Sequence, residues 1–212
     1  MHLDDALAWT IDEPQLFRDF LVHADGRPLA DVTRLPDPEA DDGLMPYPDP
    51  HARYGTDRFR VSAATPDGRP RFIVDWTSDP MKPRPAFVTA PDGAPIGELA
   101  VSVGGFGGAF KFLTGRGGAG YVLRDARGEV LAGLHTPPMN DPDAEGGVEI
   151  AGENAGEEIG RFSVGLSPYG DRRRRYTMRL HRPVPEPLRT LLLASLIGME
   201  LMVPVIALPG ER

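Results

Sequence analysis

The C-terminal segment "EPLRTLLLASLIGMELMVPVIALPGER" (Glu186–Arg212) holds the longest apolar run of a chain that is otherwise polar and rich in turn-forming residues. From Leu188 onward it is built of Leu, Ala, Ile and Met, which are good helix formers. Pro187 suits a first helical turn, and Pro185 ends what precedes it. Pro204 would clash with the carbonyl of Glu200, so the uninterrupted helix is expected over 188–203. Such a helix is about 24 Å long, short of the about 30 Å of a bilayer core. A kinked continuation through Val205, Ile206, Ala207 and Leu208 would make up the difference, but it would leave Glu200 in hydrocarbon at a cost of a few kcal/mol. Around its axis the segment is apolar almost everywhere. Arg189 and Glu200 fall on nearly one stripe, and Thr190 and Ser195 are the other polar side chains. A soluble helix of this kind has to be enclosed by protein. The residues expected to pack inward are Leu191, Leu192, Leu193, Leu196, Ile197, Met199, Leu201 and Met202. A tail anchor is the alternative. The basic residues before it (Arg172–Arg175, Arg179, Arg182, Arg189) suit the cytoplasmic flank of one.

The rest of the chain offers an enclosure. A short β-prone run, a glycine turn and a second run recur in "FLVHADGRPLADV", "FRVSAATPDGRPRFIVDW", "FVTAPDGAPIGELAVSV", "YVLRDARGEVLAGL" and "VEIAGENAGEEIGRFSVGL". The turns fall at Asp25-Gly26, Asp67-Gly68, Asp92-Gly93, Arg127-Gly128 and Ala155-Gly156. Glycine supplies the positive φ that a tight hairpin demands. Alternation in "YVLRD" and "RFSVGL" gives each strand one buried face. Five hairpins imply about ten strands, enough for a sandwich or a closed barrel. Their uneven spacing argues against a solenoid. Thr10 to Phe20 fits either a short helix or a lead-in strand. Two polar stretches, 34–57 and 136–147, read as loops.

The expected fold class is therefore mainly β: a closed antiparallel barrel of about 10–12 strands around a buried hydrophobic C-terminal helix. The whole chain, 1–212, reads as one domain. Residues 17–134 carry the N-terminal hairpins and the long 34–57 loop, and 148–208 carry the final strands and the central helix. A net charge of −8 opposes general binding of nucleic acid and of anionic lipid alike, so either would need a local basic patch, and no nucleic-acid partner is expected. The absence of cysteine removes disulfides, thiolate metal sites and cysteine nucleophiles, and fits a reducing, cytoplasmic setting. The opening "MHLDDALAWTIDEPQ" lacks a basic region before an apolar core, so no signal peptide is expected.

Repeated hairpins of the form aromatic-Val-x-x-x-x-Gly, followed by "YTMRLHRPVPEPLRTLLLASLIGMEL", resemble the tubby C-terminal-like superfamily, which includes tubby-like proteins, phospholipid scramblases and LURP-one-related proteins. The likeness spans about Phe17–Val205 and rests on the pattern and the tail. It implies a closed barrel of about twelve strands threaded by a hydrophobic helix. It also implies a non-enzymatic binding or scaffold module, contacting phosphoinositide-like lipid head groups or a protein partner. A tail-anchored or peripheral membrane protein with a scramblase-like role is the alternative. The Cys-rich and Pro-rich segments of animal scramblases are missing, and no family binding residue is carried over.

The candidate sites are few. "GDRRRRYTMRLHR" is the densest basic segment, and Arg172, Arg173, Arg174 and Arg175 are candidates for gripping phosphate with bidentate hydrogen bonds. Strand alternation would put Arg173 and Arg175 on one face and Arg172 and Arg174 on the other. The favoured reading of the same residues is a solvated turn that leads into a strand and offsets an acidic surface. "GGFGGAFKFLTGRGGAG" contains a formal G-x-G-x-x-G, but a strand follows it where a dinucleotide site needs a helix. It reads as a glycine-permissive loop, with Lys111 and Arg116 as its cations. Asp141, Asp143 and Glu145 imitate the first half of a calcium loop, but Gly152 stands where the closing Glu is due. The five His lack zinc spacing, and Ser163, Ser167 and Ser195 lack a nucleophile elbow. No cofactor and no catalytic residue are expected.

Overall fold

The computed structural model describes residues 6–15, 19–24, 26–35, 58–77, 84–102, 120–135, 145–151, 156–166, 168 and 174–202. Each glycine turn becomes a hairpin for a local reason. Gly26, Gly68, Gly93, Gly128 and Gly156 all have φ between 72° and 87°, a region that costs a Cβ-bearing residue strain. Three of the turns share one hydrogen-bond pattern. Gly68 N donates to the Thr65 carbonyl and Thr65 N to that of Arg69. The pattern recurs at Ala90, Gly93 and Ala94, and again at Asp125, Gly128 and Glu129. This is a type I turn closed by a glycine bulge, and the register shifts beside each turn agree.

The hairpins pair β2 (Asp19–Ala24) with β3 (Arg27–Arg34), β4 (Arg58–Ala64) with β5 (Pro70–Thr77), and β6 (Ala86–Thr89) with β7 (Pro95–Ser102). They also pair β8 (Gly120–Asp125) with β9 (Val130–His135), and β10 (Glu145–Ile150) with β11 (Glu158–Leu166). Two further strands bring the total to twelve: β1 (Ala8–Gln15) and β12 (Arg174–Leu180). They pair with each other and close the sheet into a barrel. Of the segment that reads as helix or strand from its sequence, residues 10–15 belong to β1 and 19–20 open β2. Every strand lies beside its neighbours in sequence, so the barrel is an antiparallel meander with no sheet edge.

Helix α1 (Leu188–Met202) fills the lumen. Its first helical residue is Leu188, one residue past Pro187. Leu191, Leu192, Leu193, Leu196, Ile197, Met199, Leu201 and Met202 are all buried. Twelve strands about 4.8 Å apart and tilted by about 40° close at a radius of about 12 Å. A helix's Cα cylinder takes about 2.3 Å of that radius, leaving about 10 Å between backbones, the spacing at which two layers of side chains interdigitate. A narrower barrel would exclude the helix and a wider one would leave voids.

The helix leans toward the wall of β5–β8. Small residues permit the approach: Gly97 lies beneath Leu191, and Gly198 faces Leu99 and Ala86. Bulky side chains, Phe20, Phe162 and Met178, fill the side toward β2, β11 and β12. The Phe162 ring also covers Gly146 on the adjacent strand, where a Cβ would come within 2.7 Å of the ring.

Candidate functional site

A meander sorts its connections by end. The five positive-φ glycine turns all join an even strand to the next odd one, so they share one end of the barrel, the turn end. The odd strands end and the even strands begin at the other end, the connection end. Helix α1 enters from the turn end after β12 and runs toward the connection end.

Each end of α1 is held by a polar side chain. At the turn end the buried Arg189 donates from Nη2 to the Ala6 carbonyl at 2.6 Å, and its guanidinium lies 5.4 Å from the centre of the Trp9 ring. At the connection end Glu200, 6% exposed, accepts a hydrogen bond of 2.5 Å at Oε2 from the Tyr176 hydroxyl. Arg174 Nη1 stands 3.6 Å from the same oxygen. Tyr121, buried on β8, completes the group: its phenol feels the charges of both Arg174 and Glu200. The four side chains come from β8, β12 and the last turn of α1.

The electrostatics of this group follow from burial. Burial pushes the Tyr176 phenol well above the usual tyrosine range, and the Glu200 carboxylate pushes the same way. Burial likewise raises Tyr121; Arg174 opposes the rise and Glu200 adds to it. Burial works against the Arg174 charge, but the oxygens of Tyr176, Glu200 and Tyr121 outweigh it and its pKa ends above the ordinary value. The two phenols thus stay neutral and able to donate a hydrogen bond.

The arginine run divides as strand alternation requires. Arg174 points into the lumen toward Glu200, whereas Arg175 points outward. There it meets Asp12, its register partner on β1, with Nε and Nη2 donating to the two carboxylate oxygens at 2.8 and 2.9 Å. The two side chains therefore do not form one patch. Arg172, Arg173, Lys111, Arg116, Asp141 and Asp143 lie outside the described residues. Glu145 opens β10 and pairs with Arg161 at 3.5 Å, a cation partner rather than a metal neighbour. Among the described residues no three His, Asp or Glu converge on a cation site. Among them, too, no helix is long and apolar enough to cross a membrane.

Tyr121 and Tyr176 carry no motif and do not stand out as site residues in the sequence. The signal that points to them is indirect. A carboxylate in an apolar, enclosed helix must find donors, and β12 brings its inward residues to it. Comparison with known proteins finds no matching family model, no matching curated protein and no matching solved structure.

Proposed function

We infer that the chain is a non-enzymatic binding module of the tubby C-terminal-like type, which engages phosphoinositide-like lipid head groups at its connection end as a peripheral, cytoplasmic protein. One observation carries the reading. The barrel's own helix fills its lumen, so a ligand has to be met at the rim or on the outer wall. A closed twelve-strand barrel enclosing a C-terminal helix is also the architecture that the hairpin pattern and the tail imply for that superfamily. In sequence Lys111 and Arg116 stand between β7 and β8, and Arg172 and Arg173 between β11 and β12. A scramblase-like tail anchor would need α1 outside the barrel, with its buried side chains exposed.

The test is co-sedimentation with phosphatidylcholine vesicles, with and without a phosphoinositide. Binding is expected only when the phosphoinositide is present, and it should weaken as salt screens the contact. Replacing Arg172–Arg175 with alanine should abolish it. The double variant R172A/R173A, which leaves the Asp12 and Glu200 contacts intact, should weaken it. Equal sedimentation with both vesicle types, or none with either, would overturn the proposal.

A further inference from the structure

We propose that the barrel mouth at the connection end is an oxyanion site filled by the helix's own carboxylate, Glu200, and that a phosphate-bearing ligand competes with Glu200 for Arg174. Three observations lead there. Two donors from β12 converge where one carboxylate oxygen sits: the Tyr176 hydroxyl at 2.5 Å and the Arg174 guanidinium at 3.6 Å, and the buried Tyr121 phenol on β8 feels the charges of Arg174 and Glu200. A guanidinium with hydroxyl donors is a donor set for phosphate as much as for carboxylate.

Arg174 is also loosely held by Glu200. Arg175 closes a two-point fork on Asp12, whereas Arg174 bonds the Tyr176 phenol and meets Glu200 through one Nη beyond hydrogen-bond length. Its side chain remains 29% exposed, so a ligand reaches the guanidinium without opening the core. Finally, Glu200 occupies the last turn of α1, where the negative end of the helix dipole disfavours a carboxylate. The internal occupant is therefore held against an opposing field, and it repels any second anion. Glu200 acts as a restraint on Arg174: the site is built for an oxyanion, and its affinity for an external one is kept low.

This inference rests on the preceding reading for its place, the connection end, and shares Arg174 with it, so the two are tested with separate probes. The probes are soluble inositol trisphosphate and inorganic phosphate, followed by calorimetry, alongside phosphoinositide vesicles. E200Q retains an oxygen for Tyr176 and removes the charge. It should bind inositol trisphosphate at least about tenfold more tightly than the wild type, the scale of removing one buried like-charge contact. R174Q in the E200Q background should cancel the gain. R179Q, on the outer wall of the same strand, should leave it unchanged. If E200Q does not fold, E200D, which withdraws the charge by one methylene, is expected to show a smaller gain. A gain for inorganic phosphate equal to that for inositol trisphosphate would mark a phosphate site without head-group selectivity and still support the proposal. Unchanged affinity in E200Q or E200D, or a gain that survives R174Q, overturns it. If vesicles still bind in that case, the binding-module reading stands alone. If E200Q gains soluble ligand while no variant binds vesicles, the oxyanion site stands and the lipid reading falls.

Discussion

Glu200 shows how one residue's value depends on its neighbours. Its carboxylate is buried with the Tyr176 hydroxyl as its close donor. Y176F leaves that acceptor without its hydroxyl and should cost about 1–3 kcal/mol in urea denaturation. Combined with E200Q the cost should be less than additive, because the group left stranded is then neutral. The tyrosines also set a pH dependence. The unfolded chain begins to lose phenolic protons near pH 10, while folding holds those of Tyr121 and Tyr176 above that range. Above about pH 10 the unfolded state therefore binds fewer protons than the folded one, and stability falls as pH rises. Below it these two groups contribute no slope. Ultraviolet titration of phenolate should show late-ionising tyrosines, one lost in Y121F and one in Y176F. Two phenols that titrate near pH 10, the ordinary tyrosine range, would contradict the buried placement.

At the scale of elements, α1 and its wall make matched demands. Leu192 is fully buried, and L192A should cost about 2–5 kcal/mol, measured by the same denaturation. Gly97 is the sharper case. A Cβ there would lie 2.1 Å from the backbone oxygen of Arg124 and 3.0 Å from Leu191 Cδ1, so G97A has to displace a strand or the helix. G133A, whose nearest contacts are 3.8 and 3.9 Å away, should be tolerated. A lower midpoint in G133A than in G97A would refute this account of the packing.

The elements differ in how plainly the sequence announces them. The five hairpins are legible because glycine stands where the turn needs positive φ, with β-prone runs on both sides. β1 is obscure because Asp12 and Pro14 interrupt its alternation, and β12 because arginines crowd its start. Both make sense only as partners, with Asp12 opposite Arg175. The mouth cluster is harder still to read. Tyr121, Arg174, Tyr176 and Glu200 meet only once the barrel has closed and the helix has taken its axial position, and no local pattern encodes either event.

At the scale of the molecule, the helix and the barrel each supply the other's apolar surroundings. The inward faces of the strands carry Val22, Val32, Val61, Val74, Leu99, Leu123 and Leu134, all shielded from water. A chain ending at Pro187 would present that lining to solvent. It is expected to bind a hydrophobic dye and to lose its near-ultraviolet circular dichroism and its cooperative melting. A truncated chain that melts cooperatively with no dye binding would show that the strands need no internal partner. The pairing of β1 with β12 has a consequence for synthesis. The strand made first must wait for the strand made last, and the plug is made later still, after β12. Until α1 follows β12, a partly made sheet has two unpaired margins and an unfilled apolar concavity, the surfaces through which incomplete β-folds aggregate.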